Sequence, residues 1–170
     1  MIYSLYNKCI EYFILSRDSV SIKKILVAVD GSKTSLDAAE HAICQAEKHH
    51  SELTALYVVS SDVRYGYLEG DQKITLTGPL KEIVTMAVER GEKLLNEVKQ
   101  KASKTNIEVK TDVIIGYTSV AKSIVEYAEE HNMDLIVIGT RGMTGIKKML
   151  LGSTATGVVT YAHCPVLIVK

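Results

Sequence analysis

From Lys23 to the end of the chain, short apolar runs rich in β-branched residues alternate with segments of helical period. The runs are 24–30 (KILVAVD), 52–59 (ELTALYVV), 107–116 (IEVKTDVIIG), 134–139 (DLIVIG) and 165–170 (PVLIVK). Between them lie helical patterns at 36–50, 80–102, 118–132 and 153–163. Strict strand–helix alternation leaves a chain few options. Parallel strands need crossovers, the crossovers become helices, and the helices cover the sheet. The expectation is therefore one open, twisted, five-stranded parallel sheet with helices on both faces. Runs as continuous as those at 24–30, 134–139 and 165–170 suit strands buried on both sides.

The helical segments carry finer expectations. Leu36, Ala39, Ile43 and Ala46 form one stripe, and Cys44 reads as a small apolar contact beside it. Leu80, Ile83, Val84, Ala87, Val88, Leu94, Leu95 and Val98 form another. Gly91 interrupts that helix at a cost of about 1 kcal/mol against alanine, which close packing on the sheet would explain. Thr118 or Ser119 is the expected N-cap of the third helix, and Ser153 that of the fourth. Glu126, Glu129 and Glu130 read as a solvated face. Residues 60–79 show no sustained period and form a long loop. Its Arg64, Tyr65 and Tyr67 either close over a ligand or ride on the surface.

Residues 1–21 stand apart. Ile2, Leu5, Tyr6, Cys9, Ile10 and Phe13 make an apolar face, opposed by Ser4, Asn7, Lys8 and Glu11. A short amphipathic helix is expected there; the segment has neither the basic start nor the cleavage site of a signal peptide. Residues 22–170 then form the remaining domain.

Charge narrows the partners. Lys+Arg and Asp+Glu number 20 each, so the net charge is near zero and nothing points to nucleic acid or an acidic membrane. No apolar run reaches the roughly 20 residues of a membrane span. The three cysteines, Cys9, Cys44 and Cys164, are far apart and form no C-x-x-C pair, which suits a reducing, cytoplasmic setting. His41, His49, His50, His131 and His163 have no ligand-set spacing, and His163-Cys164 has no orienting acid in sequence.

In open sheets of this kind ligands bind beyond the carboxyl ends of the strands. The residues there are DGSKTS (30–35) after the first strand and the stretch from Gly139 after the fourth. That stretch holds Gly139, Gly142, Gly145 and Gly152, followed by Ser153 and Thr154. So many glycines suggest backbone in close approach to something that is not protein. Phosphate fits, because glycine lets several amides converge and a helix start adds partial positive charge. The dipole contributes only about 0.3–1 kcal/mol when exposed, so direct hydrogen bonds and a base pocket must supply the rest. Arg141, Lys147 and Lys148 either add charge or are solvated. Neither G-x-x-x-x-G-K-[ST] nor G-x-G-x-x-G occurs.

The pattern Gly139-x2-Gly142-x9-Gly152-Ser153 resembles the nucleotide signature of the universal stress protein family. So do KILVAVDGSKTSLDAA near the start, IIGYTSVAKSIVEYAEEHNMDLIVIGTRG in the middle and LLGSTATGVVTYAHCPVLIVK at the end. The resemblance covers about residues 22–170. It implies a Rossmann-like sheet of the adenine nucleotide alpha hydrolase type, strand order 3-2-1-4-5. It also implies ATP or another adenine nucleotide, with Mg2+ held mainly by the phosphates. Asp30 would take the ribose, a role compatible with an Asx turn in which the same acid organises DGS. Ala28 and Ile138 would wall the adenine, and Val58 would offer it backbone groups. Gly139, Gly142, Gly152, Ser153 and Thr154 would hold the phosphates, with Arg141 beside them. A homodimer paired through the last strand (Val166, Leu167, Ile168, Val169) is implied too. Gly145 lies outside the signature. Three functions stay open: a nucleotide-dependent switch that a further protein reads, a slow ATPase or phosphotransferase, and an interaction module that binds no nucleotide.

Overall fold

A computed structural model describes residues 21–60, 79–105, 107–116, 119–142 and 151–170. The expected N-terminal helix lies outside these residues. So do Arg64, Tyr65, Tyr67, Thr118, Gly145, Lys147 and Lys148. The strands are β1 (Lys24–Ala28), β2 (Glu52–Ser60), β3 (Val109–Gly116), β4 (Leu135–Gly139) and β5 (Val166–Val169). The helices are α1 (Lys33–His49), α2 (Pro79–Ala102), α3 (Val120–Glu130) and α4 (Ser153–Tyr161). All four strand pairs are parallel, in the order β3-β2-β1-β4-β5. The order reverses between β1 and β4, which opens a crevice at their carboxyl ends.

Each face of the sheet carries its own core. Ile25, Val27, Leu53, Leu135 and Val137 pack with Ala38, Ala42 and Ala46 of α1 and with Leu95 and Val98 of α2. Leu26, Leu56, Ile136 and Ile138 pack with Ile124 and Ala128 of α3 and with Ala155 and Val158 of α4. The pleat sends alternate residues to opposite faces, so β1 and β4 need apolar side chains throughout. Complete burial of each such side chain contributes about 1.5–3 kcal/mol. On the second face α3 and α4 come close at Gly157, where an added Cβ would stand 2.7 Å from the Cβ of Ala121.

Two apolar expectations fail. Ile83 is 63% exposed, because one residue advances the helix by about 100° and the stripe runs through its neighbour Val84. Cys44 is exposed for the same reason, one step round from buried Ile43. The glutamates of α3 are exposed as expected. Ser119 caps α3 by accepting from the Lys122 amide.

Gly91 is explained by packing. A Cβ there would stand 2.5 Å from Cδ1 of Tyr57 on β2. Alanine would gain about 1 kcal/mol of helix propensity but must displace a ring in a packed layer, which costs typically 1–3 kcal/mol. Gly91→Ala is therefore expected to lower the urea midpoint. In a Tyr57→Ala background the same change is expected to raise it, a reversal of sign that a double-mutant cycle reads directly.

Candidate functional site

The crevice is built by three turns that converge beyond β1 and β4. The first is the β1–α1 turn. Gly31 adopts φ +87°, a left-handed conformation that glycine tolerates without strain. This lets Asp30 fold over the turn, where its Oδ1 accepts from the Ser32 amide at 2.8 Å. The Asx turn considered for Asp30 is thus present. Ser32 then caps α1, its hydroxyl accepting from the Ser35 amide at 3.2 Å. The Ser35 hydroxyl accepts from the Asp30 amide at 3.3 Å.

The second turn follows β4. The Thr34 hydroxyl donates to the Arg141 carbonyl at 2.5 Å, and that of Ser32 to the same oxygen at 3.2 Å. These two bonds latch the start of α1 to the loop after β4, across more than 100 positions of sequence. Sequence reasoning assigned no role to Ser32 or Thr34. The density of hydroxyls in DGSKTS, opposite a glycine-rich turn, was the available signal.

The third turn enters α4. Gly152, not Ser153, is the N-cap. Gly152 has extended dihedrals (φ −71°, ψ 160°), and its carbonyl accepts from the Thr156 amide at 2.9 Å. Ser153 is already helical and cannot cap. Gly152 has no side chain, so the cap residue makes no side-chain hydrogen bond to the helix start. The amide of Gly152 itself is committed to the Thr140 carbonyl at 2.8 Å. The amides at the mouth are those of Ser153 and Thr154, which by helix geometry have no carbonyl within α4 to bond.

The glycines prove to be crowded first by protein. A Cβ at Gly139 would stand 2.7–2.9 Å from the backbone of Thr34 and Ser35. One at Gly142 would stand 2.9 Å from Oδ2 of Asp30. One at Gly152 would stand 3.3 Å from the Thr140 carbonyl oxygen. Gly139 thus admits helix α1, Gly142 admits the Asp30 carboxylate, and Gly152 admits the loop after β4. Protein neighbours thus already account for the absence of side chains at these three positions. The glycines assemble the crevice, and Gly142 in addition sets one Asp30 oxygen against the loop after β4.

Ala28, Ile138 and Val58 share the α3/α4 face at this end of the sheet, the first two buried and Val58 half-buried against them. The structure therefore places an apolar patch, a carboxylate and an uncapped helix start at one switch point. Thr140 directly follows β4, 7% exposed, and its Oγ1 has no hydrogen-bond partner among the described residues. Such a donor set suits an adenine nucleotide: apolar for the base, anionic for ribose hydroxyls, N–H for phosphates. No group of three or more His, Cys, Asp or Glu among the described residues is arranged to hold a metal ion. An open groove of about 480 Å³ lies at the other end of the sheet, lined by Lys24, Glu52, Lys110, Asp112, Tyr127 and His131. Lys110 pairs with Glu52 at 2.7 Å, and burial beside Asp112 pushes the Tyr127 hydroxyl up to about 12.

An open α/β sheet with its crevice between β1 and β4 defines a broad class of nucleotide- and cofactor-binding folds. Within that class, the universal stress protein family model matches residues 21–170. A universal stress protein of Methanocaldococcus jannaschii is 38% identical over 165 residues, covering 95% of this chain and 92% of that protein. The UspA structure from Lactobacillus plantarum superposes with a TM-score of 0.75 at 28% identity, covering 88% of this chain and 98% of that one. A universal stress protein from Archaeoglobus fulgidus, solved in complex with dAMP, superposes with a TM-score of 0.57 at 20% identity, covering 89% and 99%. This chain belongs to the universal stress protein family. No described helix is long and apolar enough to cross a membrane.

Proposed function

We propose that the chain binds an adenine nucleotide, ATP first among them, in the crevice between β1 and β4. In this reading it serves as a nucleotide-dependent switch or adaptor of the stress response, with little or no catalysis. The observation that carries the reading is the uncapped start of α4 facing a carboxylate that Gly142 has made room for. Asp30 accepts from the ribose hydroxyls. Ala28 and Ile138 wall the adenine, and the backbone of Val58 reads its edge. The amides of Ser153 and Thr154 take the phosphates with Gly142 and Arg141 beside them, and Mg2+ rides on the phosphates. Gly139 and Gly152 act by letting the turns approach. The dAMP complex of a protein with this fold is compatible with the reading but, at 20% identity, bears on the fold alone.

A switch works only through unequal affinity of its ligand for two states. The partner that reads those states is a further protein, and the setting is cytoplasmic. The assembly in this reading is a homodimer. Among the described residues β5 pairs only with β4, so its outer edge (Val166, Leu167, Ile168, Val169) is open to a second copy. Val166→Lys is expected to shift the sedimentation coefficient from dimer to monomer. An unchanged dimer removes this edge from the interface.

The test of the nucleotide reading is direct. Denatured pure protein is expected to release an adenine nucleotide identifiable by mass. Added ATP at a hundred times its dissociation constant should stabilise the stripped protein by about 2.7 kcal/mol. Protein that releases nothing and does not respond to ATP is an interaction module instead.

A further inference from the structure

We infer that residues 1–20 dock, through their apolar stripe, in the open groove between α3 and β3 of the same chain. The inference is independent of the nucleotide reading. The groove measures about 480 Å³ and lies at the amino end of the sheet, where the helical layer stops short of the edge strand. α2 backs β3 on one face, but on the other α3 packs over β2. Lys110, Asp112 and Ile114 pair with Thr54, Leu56 and Val58, so they share the α3 face with buried Leu56. Lys110 is exposed there, and Asp112 and Ile114 are half-buried. Opposite them stand Tyr127 and His131, one helical turn apart, their rings stacked with centroids 4.0 Å from each other. The Tyr127 carbonyl accepts from His131 Nδ1 at 2.9 Å, which fixes the stack. The groove is therefore already formed, and filling it costs little further ordering.

What fills it follows from where the chain enters the fold. Ile22 is 7% exposed, and its carbonyl accepts from the Ser51 hydroxyl at 2.6 Å. The amides of Lys23 and Lys24 both donate to Asp134 Oδ2, at 2.8 and 2.9 Å. The Lys24 ammonium donates to the His131 carbonyl at 3.2 Å, and Lys24 itself lines the groove. Residues 1–20 thus join the fold through a clamped stem at the groove's margin. A tether this short gives the segment a local concentration on the order of millimolar there. The crevice between β1 and β4 lies at the opposite end of the sheet. Ile2, Leu5, Tyr6, Cys9, Ile10 and Phe13 share one side of the segment at helical spacing and need cover. As a helix that stripe runs about 18 Å, shorter than the eight residues of β3 beside it. The stems of Lys24 and Lys110 and the stacked rings meet apolar side chains, while the charged ends stay at the rim. The segment lies outside the family fold, whose model begins at residue 21. It is not peculiar to this chain: the Methanocaldococcus jannaschii protein aligns over 95% of it, which runs into residues 1–20, whereas YxiE of Bacillus subtilis aligns over 86%.

The experiment places a nitroxide on the full chain at Lys8→Cys, opposite the stripe, with Cys9→Ala, Cys44→Ala and Cys164→Ala removing the other thiols. Amide spectra are compared with the label oxidised and reduced. Lys110, Thr111, Asp112, Tyr127 and His131 are expected to lose most of their signal, while Asp30 and Ile168 keep theirs. Adding Ile10→Asp and Phe13→Asp puts charge on the stripe and is expected to restore the groove signals. Loss at the β5 edge or along α2 instead of the groove, or loss nowhere, overturns the inference. Loss that survives both aspartates overturns the role of the stripe. A mixture of labelled chains with isotopically visible, unlabelled ones identifies the donor. Groove signals lost in the unlabelled chains show a second copy's segment in the groove and overturn docking within one chain.

Discussion

Gly139→Ala is expected to destabilise the protein by about 3 kcal/mol, the largest stability loss of any single methyl added around the crevice. The new Cβ would stand 2.7 Å from the carbonyl carbon of Thr34, 2.8 Å from its oxygen and 2.9 Å from the Ser35 nitrogen. All three are backbone atoms in the first turn of α1, so no rotamer change relieves the contact. Either α1 moves off β4 or the end of β4 bends. Moving α1 also pulls Thr34 and Ser32 from the Arg141 carbonyl and so opens the latch. Gly142→Ala is the contrasting case. Among the described residues its Cβ would meet only Oδ2 of Asp30, a side-chain atom that can rotate aside. Urea titration should show a small change for Gly142→Ala and a large one for Gly139→Ala. Equal midpoints for the two variants would refute the division of labour between these glycines.

Asp30→Ala is expected to weaken adenine nucleotide binding about a hundredfold. Two functions are lost together. The ribose loses a charged acceptor, and the Ser32 amide loses the 2.8 Å bond that shapes the turn into α1. Asp30→Asn separates them, because its side-chain oxygen still accepts from Ser32 while the charge is gone. About a tenfold loss is expected for Asn, with melting close to wild type. Calorimetric titration measures both variants. If Asn and Ala bind nucleotide as tightly as wild type, Asp30 is a turn residue and nothing more.

The sequence made the strands and helices of the sheet legible because strand and helix periods are local properties, whereas the strand order was legible only through the family resemblance. The apolar runs at β1 and β4 carry their own burial on both faces. The crevice residues were found for the same reason: the switch point lies at the strand ends, and DGSKTS and the glycine stretch sit there. What the glycines touch was not legible. The neighbour of Gly139 is the backbone of Thr34, brought there by the docking of a whole helix, and no periodicity records that approach. The bonds from Ser32 and Thr34 to Arg141 are equally long-range. The start of α4 was displaced by one residue because serine and glycine both suit an N-cap, and only the dihedrals of Gly152 decide. Ile83 was assigned to the buried stripe of α2 because a wide apolar face fits several helix rotations. Packing selects one of them, through Val84, Leu95 and Val98.

The central claim is that a nucleotide sits with its phosphates on the first amides of α4 and its ribose on Asp30. A crystal structure of the protein grown with ATP and Mg2+ tests it most directly. The account predicts phosphate oxygens within hydrogen-bonding distance of the Ser153 and Thr154 amides, and ribose hydroxyls on the Asp30 carboxylate. A crevice closed by the chain's own side chains at saturating ATP, or a nucleotide bound elsewhere, would contradict it.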